Sequence, residues 1–269
     1  MAFRIAAFAD EAAASLAGQI SAMEQNGVSL LEIRGIDGEN ISQISAQKAR
    51  EIRRRLDDAG IGVWSIGSPF GKIGIDDPFE AHLDGFKRCL EAAEILGCGH
   101  FRLFSFYGEK RLDDVCERLR QFIEAAEGSG VLLCHENEKG IYGDVAERCL
   151  ELHRALPALK AVFDPANFIQ CGQPTRPAWE LLAPYVEYMH IKDALPDGSV
   201  VPAGKGAGEL PWLLERYAGE VLTVEPHLTV FEGFEQLEAG RKTERAYTYP
   251  DARTAFSAAV SALRDIIGR

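Results

Sequence analysis

Short apolar runs rich in β-branched residues alternate with longer amphipathic stretches along the whole chain, and this alternation most constrains the fold. It predicts parallel strands joined by crossover helices. The predicted strands span residues 3–8, 29–34, 62–66, 100–106, 131–136, 161–164, 188–192 and 221–225. The predicted helices span residues 12–25, 45–59, 79–96, 112–127, 145–156, 178–182, 209–218 and 252–267.

Eight consecutive strand–helix units in 269 residues favour an α/β fold of the (β/α)₈ TIM-barrel type over an open doubly wound sheet. No linker-like or low-complexity segment interrupts the units, so residues 1–269 are predicted to form a single domain. Two long excursions, 67–78 and 195–208, follow strands and should lie at the carboxyl face, where barrel active sites form. A third insertion, 229–250, is interpreted as a lid or an oligomer contact.

Charge and composition exclude several classes of function. The chain has 41 acidic and 29 basic residues, and its formal net charge of −12 disfavours nucleic acid and anionic membrane surfaces as partners. No apolar run is long enough for a membrane span or a signal-peptide core, so we expect a cytoplasmic protein. The six cysteines form no CxxC pair and are expected to be buried free thiols.

Ionisable residues gather at the carboxyl ends of the last four predicted strands: Glu136, Asp164, His190 and Glu225. Each alone has an ordinary structural explanation, such as a turn acid or a core histidine. Together they favour one divalent-metal site, because buried carboxylates are costly unless a cation receives them. Three carboxylates and one imidazole suit Mn²⁺, our first choice, and also Mg²⁺, Co²⁺ or Zn²⁺.

Several strings extend this pattern over essentially the whole chain: LEIRGIDGENI, SIGSPFGKIGI, FRLFSFY, CHENEKGIYGD, AVFDPANFIQCG, MHIKDALPDGSVVPAGKGAGEL and LTVEPHL. The chain resembles the sugar phosphate isomerase/epimerase group of xylose-isomerase-like TIM barrels. The resemblance implies that the same four residues are the metal ligands, and that Glu136 and Glu225 are the catalytic acid/base pair. It also suggests a dimer or tetramer.

The implied activity is isomerisation or epimerisation of a small sugar or polyhydroxylated carbonyl compound. A metal that polarises a carbonyl and its adjacent hydroxyl makes the proton between them removable by a carboxylate, with an enediolate as the intermediate. An inosose-type dehydratase would begin with the same proton abstraction and then expel a hydroxyl. A noncatalytic sugar-binding barrel that keeps the metal for affinity is the third alternative.

Two positions depart from the pattern of the family's ketose 3-epimerase branch. Asn167 stands three residues after the Asp ligand, where that branch carries His, and Tyr142 stands six residues after the first Glu ligand, where it carries a further Glu. Both side chains can hydrogen-bond a sugar hydroxyl, so both are candidate substrate contacts.

Further candidate contacts to hydroxyl, carboxylate or phosphate groups are Glu32, Arg34, Lys72, Lys192 and Lys205. Glu32 and Arg34 could equally form a structural ion pair with each other. Lys205 lies in the loop Gly204–Gly208, which is either a plain turn or, with its backbone amides, an anion site before a helix. His135 and His227 are interpreted as packing residues or as supports for the ligands.

Aromatic side chains are also expected near the barrel mouth, where one or two could stack on a sugar. They are Trp64, Phe70, Phe104, Phe106, Tyr107 and Phe168.

Overall fold

The computed structural model describes residues 3–230 and 244–268. Parallel strands close into a barrel in chain order, and the last strand pairs with the first. The strands are β1 (Arg4–Ala7), β2 (Leu30–Ile33), β3 (Gly62–Gly67), β4 (His100–Leu103), β5 (Leu132–Glu136), β6 (Lys160–Phe163), β7 (Val186–Ile191) and β8 (Val221–Val224). The predicted (β/α)₈ barrel is confirmed.

Helices surround the barrel. They are α1 (Leu16–Gln25), α2 (Ala46–Asp58), α3 (Glu80–Leu96), α4 (Leu112–Ala126), α5 (Ala146–Ala155), α6 (Pro165–Gln170), α7 (Thr175–Leu182), α8 (Leu210–Leu214) and α9 (Ala252–Ile267). The hydroxyl of Ser45 caps α2 by accepting from Lys48 N, and Gly97 ends α3 in the left-handed conformation with φ 66°. Among the described residues, no helix is long and apolar enough to cross a membrane.

Alternation along the strands separates two environments. Residues on one side of each strand pack against the helices, while residues on the other side point into the barrel. Ala6 and Leu30 pack inside the barrel with Trp64, as do Cys134, Val162 and Tyr188. The next inward positions toward the carboxyl ends of β2, β5, β6 and β7 carry Glu32, Glu136, Asp164 and His190, whereas the position after Ala6 is Phe8. Alternation along these four strands therefore places polar groups at the mouth.

The prediction that Trp64 lies at the mouth is wrong. Its ring stacks on His100 at 3.9 Å between centroids, and His100 opens β4 at the amino end of the barrel. Phe70 and Phe106 belong to an aromatic cluster with Phe122 and are buried. These side chains therefore serve packing.

Two short hairpins extend the carboxyl face. Gly35–Ile36 pairs with Glu39–Asn40 after β2, and Asp193–Ala194 pairs with Val200–Val201 after β7. Within the third predicted insertion, residues 231–243 lie outside the described residues, so its role as a lid or oligomer contact stays a prediction. All six cysteines are free thiols and five of them are buried, as predicted.

Candidate metal centre

The structure brings the four predicted ligands together inside the mouth of the barrel. Each of Glu136, Asp164, His190 and Glu225 offers one ligand atom within 4.8 Å of the others, and all four are buried. Glu136 ends β5, Asp164 follows β6, His190 lies in β7 and Glu225 follows β8. Adjacent parallel strands end at the same edge, which explains why residues so distant in sequence converge.

The donor set fits a divalent ion. Three carboxylates and one imidazole are suitable ligands for first-row divalent metals. Asp164 Oδ2 is buried and lies 2.8 Å from the Lys192 ammonium, so a positive charge already faces this oxygen. The four residues would hold the ion and leave coordination positions for a substrate.

Glu136 is fixed from both sides. Its Oε2 accepts a hydrogen bond from Arg102 at 2.7 Å, and its Oε1 lies 3.1 Å from His190 Nδ1 and 3.2 Å from the amide nitrogen of Asn167. Burial alone would raise the pKa of Glu136, but His190 and Arg102 bring it well below its ordinary value. Glu136 is therefore a carboxylate at neutral pH, as a metal ligand or a base must be.

Glu225 has a matching arrangement. Its Oε1 accepts from Arg34 at 3.2 Å, and its Oε2 lies 2.8 Å from Lys192 Nζ and 3.6 Å from His190 Nδ1. Burial would raise the pKa of Glu225, but Lys192 and other neighbouring cationic groups hold it well below its ordinary value. Glu225 Oε2 and Glu136 Oε1 thus both lie close to His190 Nδ1.

Lys192 lies inside this cluster rather than at its rim. Its Nζ is 2.8 Å from both Asp164 Oδ2 and Glu225 Oε2, and the side chain is buried. Burial raises the pKa of Asp164 to about 7, although the Lys192 charge opposes this shift. The ammonium therefore compensates the charge of two predicted ligands.

His190 is oriented by a buried carboxylate behind it. Its Nε2 lies 3.2 Å from Glu32 Oε2, while the Tyr188 hydroxyl donates to Glu32 Oε1 at 2.9 Å. Burial alone would lower the pKa of His190, but Glu136 and Glu32 raise it to about 10. A carboxylate on one ring nitrogen directs the other toward a metal. Glu32 is therefore placed to support His190, and its predicted contact with a substrate stays a prediction.

The suggested ion pair between Glu32 and Arg34 is wrong, because each side chain has other partners. Arg34 donates to both oxygens of Asp10, at 2.8 and 3.0 Å, to Glu11 at 3.0 Å and to Glu225. Burial raises the pKa of Glu11 to about 8 despite the opposing Arg34 charge. Arg34 thus contacts three acidic side chains, and one of them, Glu225, belongs to the ligand cluster.

Glu11, Glu225 and His227 form a second group that could hold a cation, with ligand atoms within 4.8 Å of one another. His227 Nε2 lies 3.4 Å from Glu11 Oε1 and 3.6 Å from Glu225 Oε1. The Arg34 guanidinium already contacts both carboxylates of this group. His227 therefore lies beside the ligand cluster, in keeping with a supporting role.

The remaining predicted contacts occupy different places. Asn167 touches Glu136 directly, and Lys72 lies at the mouth, 3.3 Å from Glu138 and over the Phe104 ring at 4.2 Å. The Tyr142 hydroxyl instead donates to Glu151 in α5 at 2.5 Å, so it faces a surrounding helix. A contact between Tyr142 and substrate has no support from this geometry.

Lys205 is exposed in the glycine loop, and its role in binding stays a prediction. The backbone amides predicted to help it bind an anion are already engaged. The N–H groups of Gly204, Gly206 and Gly208 all donate to the Asp193 carboxylate, at 2.8 to 2.9 Å. The prediction that these amides bind a substrate anion is therefore wrong for these three.

Sequence reasoning missed Arg102, Glu11 and Asn137. Arg102 lies two residues after His100 in β4, and the inward alternation of that strand was the signal that could have found it. Asn137 holds the backbone of Asp164 with two 2.9 Å hydrogen bonds, one donated and one accepted. No spacing rule points to such a backbone clamp.

A model of the xylose isomerase-like TIM barrel family matches residues 20–225, and the chain belongs to this family. Comparison with curated protein sequences finds no match.

Solved structures with the same fold include proteins of different activity. D-psicose 3-epimerase from Clostridium cellulolyticum H10, solved with D-tagatose, is 14% identical, with a TM-score of 0.74. The probable 3-DHS dehydratase AsbF from Bacillus anthracis is 15% identical, with a TM-score of 0.73. The IOLI protein, solved with a zinc atom, is 17% identical, with a TM-score of 0.74. Each match covers 98% of this chain and 98% of the other. At these identities the likeness shows the fold alone.

Proposed function

We propose that this chain is a divalent-metal-dependent isomerase or epimerase of a small sugar or polyhydroxylated carbonyl compound. It transfers a proton at the carbon beside the carbonyl. The observation that carries the proposal is the buried convergence of Glu136, Asp164, His190 and Glu225 at the mouth of the barrel. Mn²⁺ remains our first choice of metal, and neighbours with this fold include an epimerase and a protein with bound zinc.

The chain's own residues supply the acid/base chemistry. Glu136 and Glu225 are both ionised, because cationic neighbours depress the pKa of each, so either can accept a proton. When bound, a divalent ion supplies Lewis-acid polarisation of the substrate carbonyl, which makes the neighbouring proton removable. The Asn167 amide and the Lys192 ammonium provide hydrogen-bond donors beside these carboxylates. Positioned acid/base groups of this kind contribute about 10²- to 10⁴-fold to a rate.

A dehydratase of an inosose-like compound is the second candidate, and one observation favours it. One solved structure with this fold is a probable 3-DHS dehydratase. The two reactions differ in product mass, because dehydration loses water and epimerisation does not.

Two measurements test the proposal. Metal analysis of the purified protein is expected to find about one Mn, Co, Zn or Mg per chain, and to find it lost in the double variant Glu136→Gln/Glu225→Gln. Ketoses and inososes are then incubated in D₂O with the wild type, with Glu225→Gln and with a control, Glu220→Gln. Glu220 is a good control because its side chain is 67% exposed.

We expect deuterium at the carbon beside the carbonyl with the wild type and the control. With Glu225→Gln the rate should fall by about 10²- to 10⁴-fold while circular dichroism shows a folded barrel. Wild-type turnover in Glu225→Gln would refute the mechanism. Metal binding without any exchange would instead favour a noncatalytic sugar-binding barrel, because binding alone exchanges no carbon-bound proton.

A further inference from the structure

Cationic and aromatic side chains alternate across the mouth of the barrel. The Arg34 guanidinium lies over the Phe8 ring at 4.4 Å, and the Arg102 guanidinium lies 5.5 Å from the same ring and 4.6 Å from the Phe104 ring. Lys72 Nζ lies over Phe104 at 4.2 Å. We call this series, Arg34–Phe8–Arg102–Phe104–Lys72, the cation–aromatic array.

The array meets the metal centre at the two glutamates. Arg34 donates a hydrogen bond to Oε1 of Glu225, and Arg102 donates one to Oε2 of Glu136. The other oxygen of each glutamate is the one that lies near His190 Nδ1, at 3.6 Å for Glu225 and 3.1 Å for Glu136. A free carboxylate can present one oxygen or both, so each arginine, by occupying one oxygen, restricts its glutamate to presenting the other.

Phe8 is the member that the two arginines share. It is fully buried, and its ring meets the His190 ring edge-on at 5.2 Å between centroids. The ring also fits closely against β3, because a Cβ added to Gly67 would lie 2.5 Å from Phe8 Cε1 and 3.4 Å from an Arg102 nitrogen. Long arginine side chains lose conformational freedom when they are held, and a buried aromatic face that attracts both guanidinium groups restricts them together.

We propose that Phe8 is a positioning residue for the metal centre. Through Arg34 and Arg102 it holds the carboxylates of Glu225 and Glu136 so that each presents one oxygen to the ion, and so it sets the coordination geometry without touching metal or substrate. This inference rests on the proposed metal-dependent function. It predicts that an apolar substitution without an aromatic face alters the ligand field, although every ligand and every charge is kept.

The test uses Co²⁺ as a spectroscopic probe with three proteins: the wild type, Phe8→Leu and the control Phe86→Leu. Phe86 is an equally buried phenylalanine whose ring packs against Phe101 and Phe122, so Phe86→Leu loses the same side-chain volume outside the array. Phe8→Leu is expected to bind Co²⁺ about 10- to 100-fold more weakly, with a changed visible spectrum. Phe86→Leu is expected to keep the wild-type affinity and spectrum.

The outcomes separate this inference from the proposed function. Co²⁺ binding by the wild type with an identical spectrum in Phe8→Leu overturns the positioning role and leaves the proposed function intact. An equal change in Phe86→Leu also overturns it, because general loosening of the core then explains the effect. Absence of Co²⁺ binding by the wild type overturns both. If Phe8→Leu does not fold, Arg102→Lys replaces it, and an unchanged spectrum there refutes the inference.

Discussion

Removing the buried ammonium of Lys192 should strengthen metal binding. Lys192 Nζ lies 2.8 Å from Asp164 Oδ2 and 2.8 Å from Glu225 Oε2, and all three side chains are buried. Both carboxylates belong to the ligand cluster. An ion that binds these oxygens must therefore displace the ammonium. The ammonium stabilises the metal-free protein and so competes with the ion.

The magnitude follows from this exchange. Lys192→Met keeps most of the side-chain length and removes the charge, which leaves two buried carboxylates without their cation. Breaking a buried pair of this kind costs about 3–5 kcal/mol of folding free energy. A bound divalent ion restores the compensating charge, so most of this loss should disappear with metal present. A difference of about 3 kcal/mol corresponds to roughly 100-fold tighter binding by the variant.

The assay is urea unfolding of the wild type and Lys192→Met, each in EDTA and in excess Mn²⁺, with Mn²⁺ affinity measured by calorimetry. The control is Lys48→Met, which removes a partly exposed pair with Asp37. It should leave the urea midpoint nearly unchanged, and equally so in both conditions. If Mn²⁺ stabilises Lys192→Met no more than it stabilises the wild type, the ammonium does not compete with the ion and the reasoning fails.

Three further substitutions have defined outcomes. Glu32→Gln should weaken Mn²⁺ binding about 10- to 100-fold, because Glu32 orients His190; unchanged affinity would contradict this role. Burial, aided by Arg118, lowers the pKa of His82 from 6.5 to about 4, and the neutral ring accepts from Gly71 N. Its stabilisation is therefore present above pH 6.5 and is lost as the pH falls toward 4. His82→Gln keeps an acceptor that does not titrate. The difference in unfolding free energy between variant and wild type, measured in urea at pH 7.5 and pH 4.5, should move by about 1 kcal/mol in the variant's favour at the lower pH. A difference that does not change with pH would refute this. Gly71 has φ +88°, and an added Cβ would collide with the Phe104 carbonyl oxygen. Gly71→Ala should therefore lower the free energy of unfolding by about 3 kcal/mol or more. Thermal stability equal to that of the wild type would contradict this.

The fold and the convergence of the four candidate ligands could be predicted because both depend on strand periodicity. Each predicted ligand stands at the carboxyl end of a short apolar run, and parallel strands place such positions at one edge. Helix α6 is not predicted from the sequence, because its six residues carry too little periodicity and the predicted strand simply ends at Asp164. The structure shows Asp164 as the N-cap of that helix, with Oδ1 accepting from Asn167 N at 2.9 Å.

Side-chain partners could not be predicted in the same way. Lys192 was expected to face a substrate, but its four-carbon stem lets the ammonium reach back between Asp164 and Glu225. The acceptor of the amides in the loop Gly204–Gly208 could not be predicted either. The Asp193 carboxylate accepts from these amides, and a carboxylate of the chain is as suitable an acceptor as a bound anion. Such choices depend on distances between elements, which composition and spacing do not contain.

The centre depends above all on the register of β7. Tyr188, His190 and Lys192 are three successive inward positions, and they contact Glu32, Glu136 and Asp164 respectively. A slip of one residue would turn Met189 and Ile191 inward and remove the imidazole and the ammonium together. The hydrogen bond between the Tyr188 hydroxyl and Glu32, with Ser65 Oγ 3.0 Å from the same hydroxyl, opposes such a slip. The polar contacts below the candidate metal centre therefore fix the strand that carries His190, its candidate imidazole ligand.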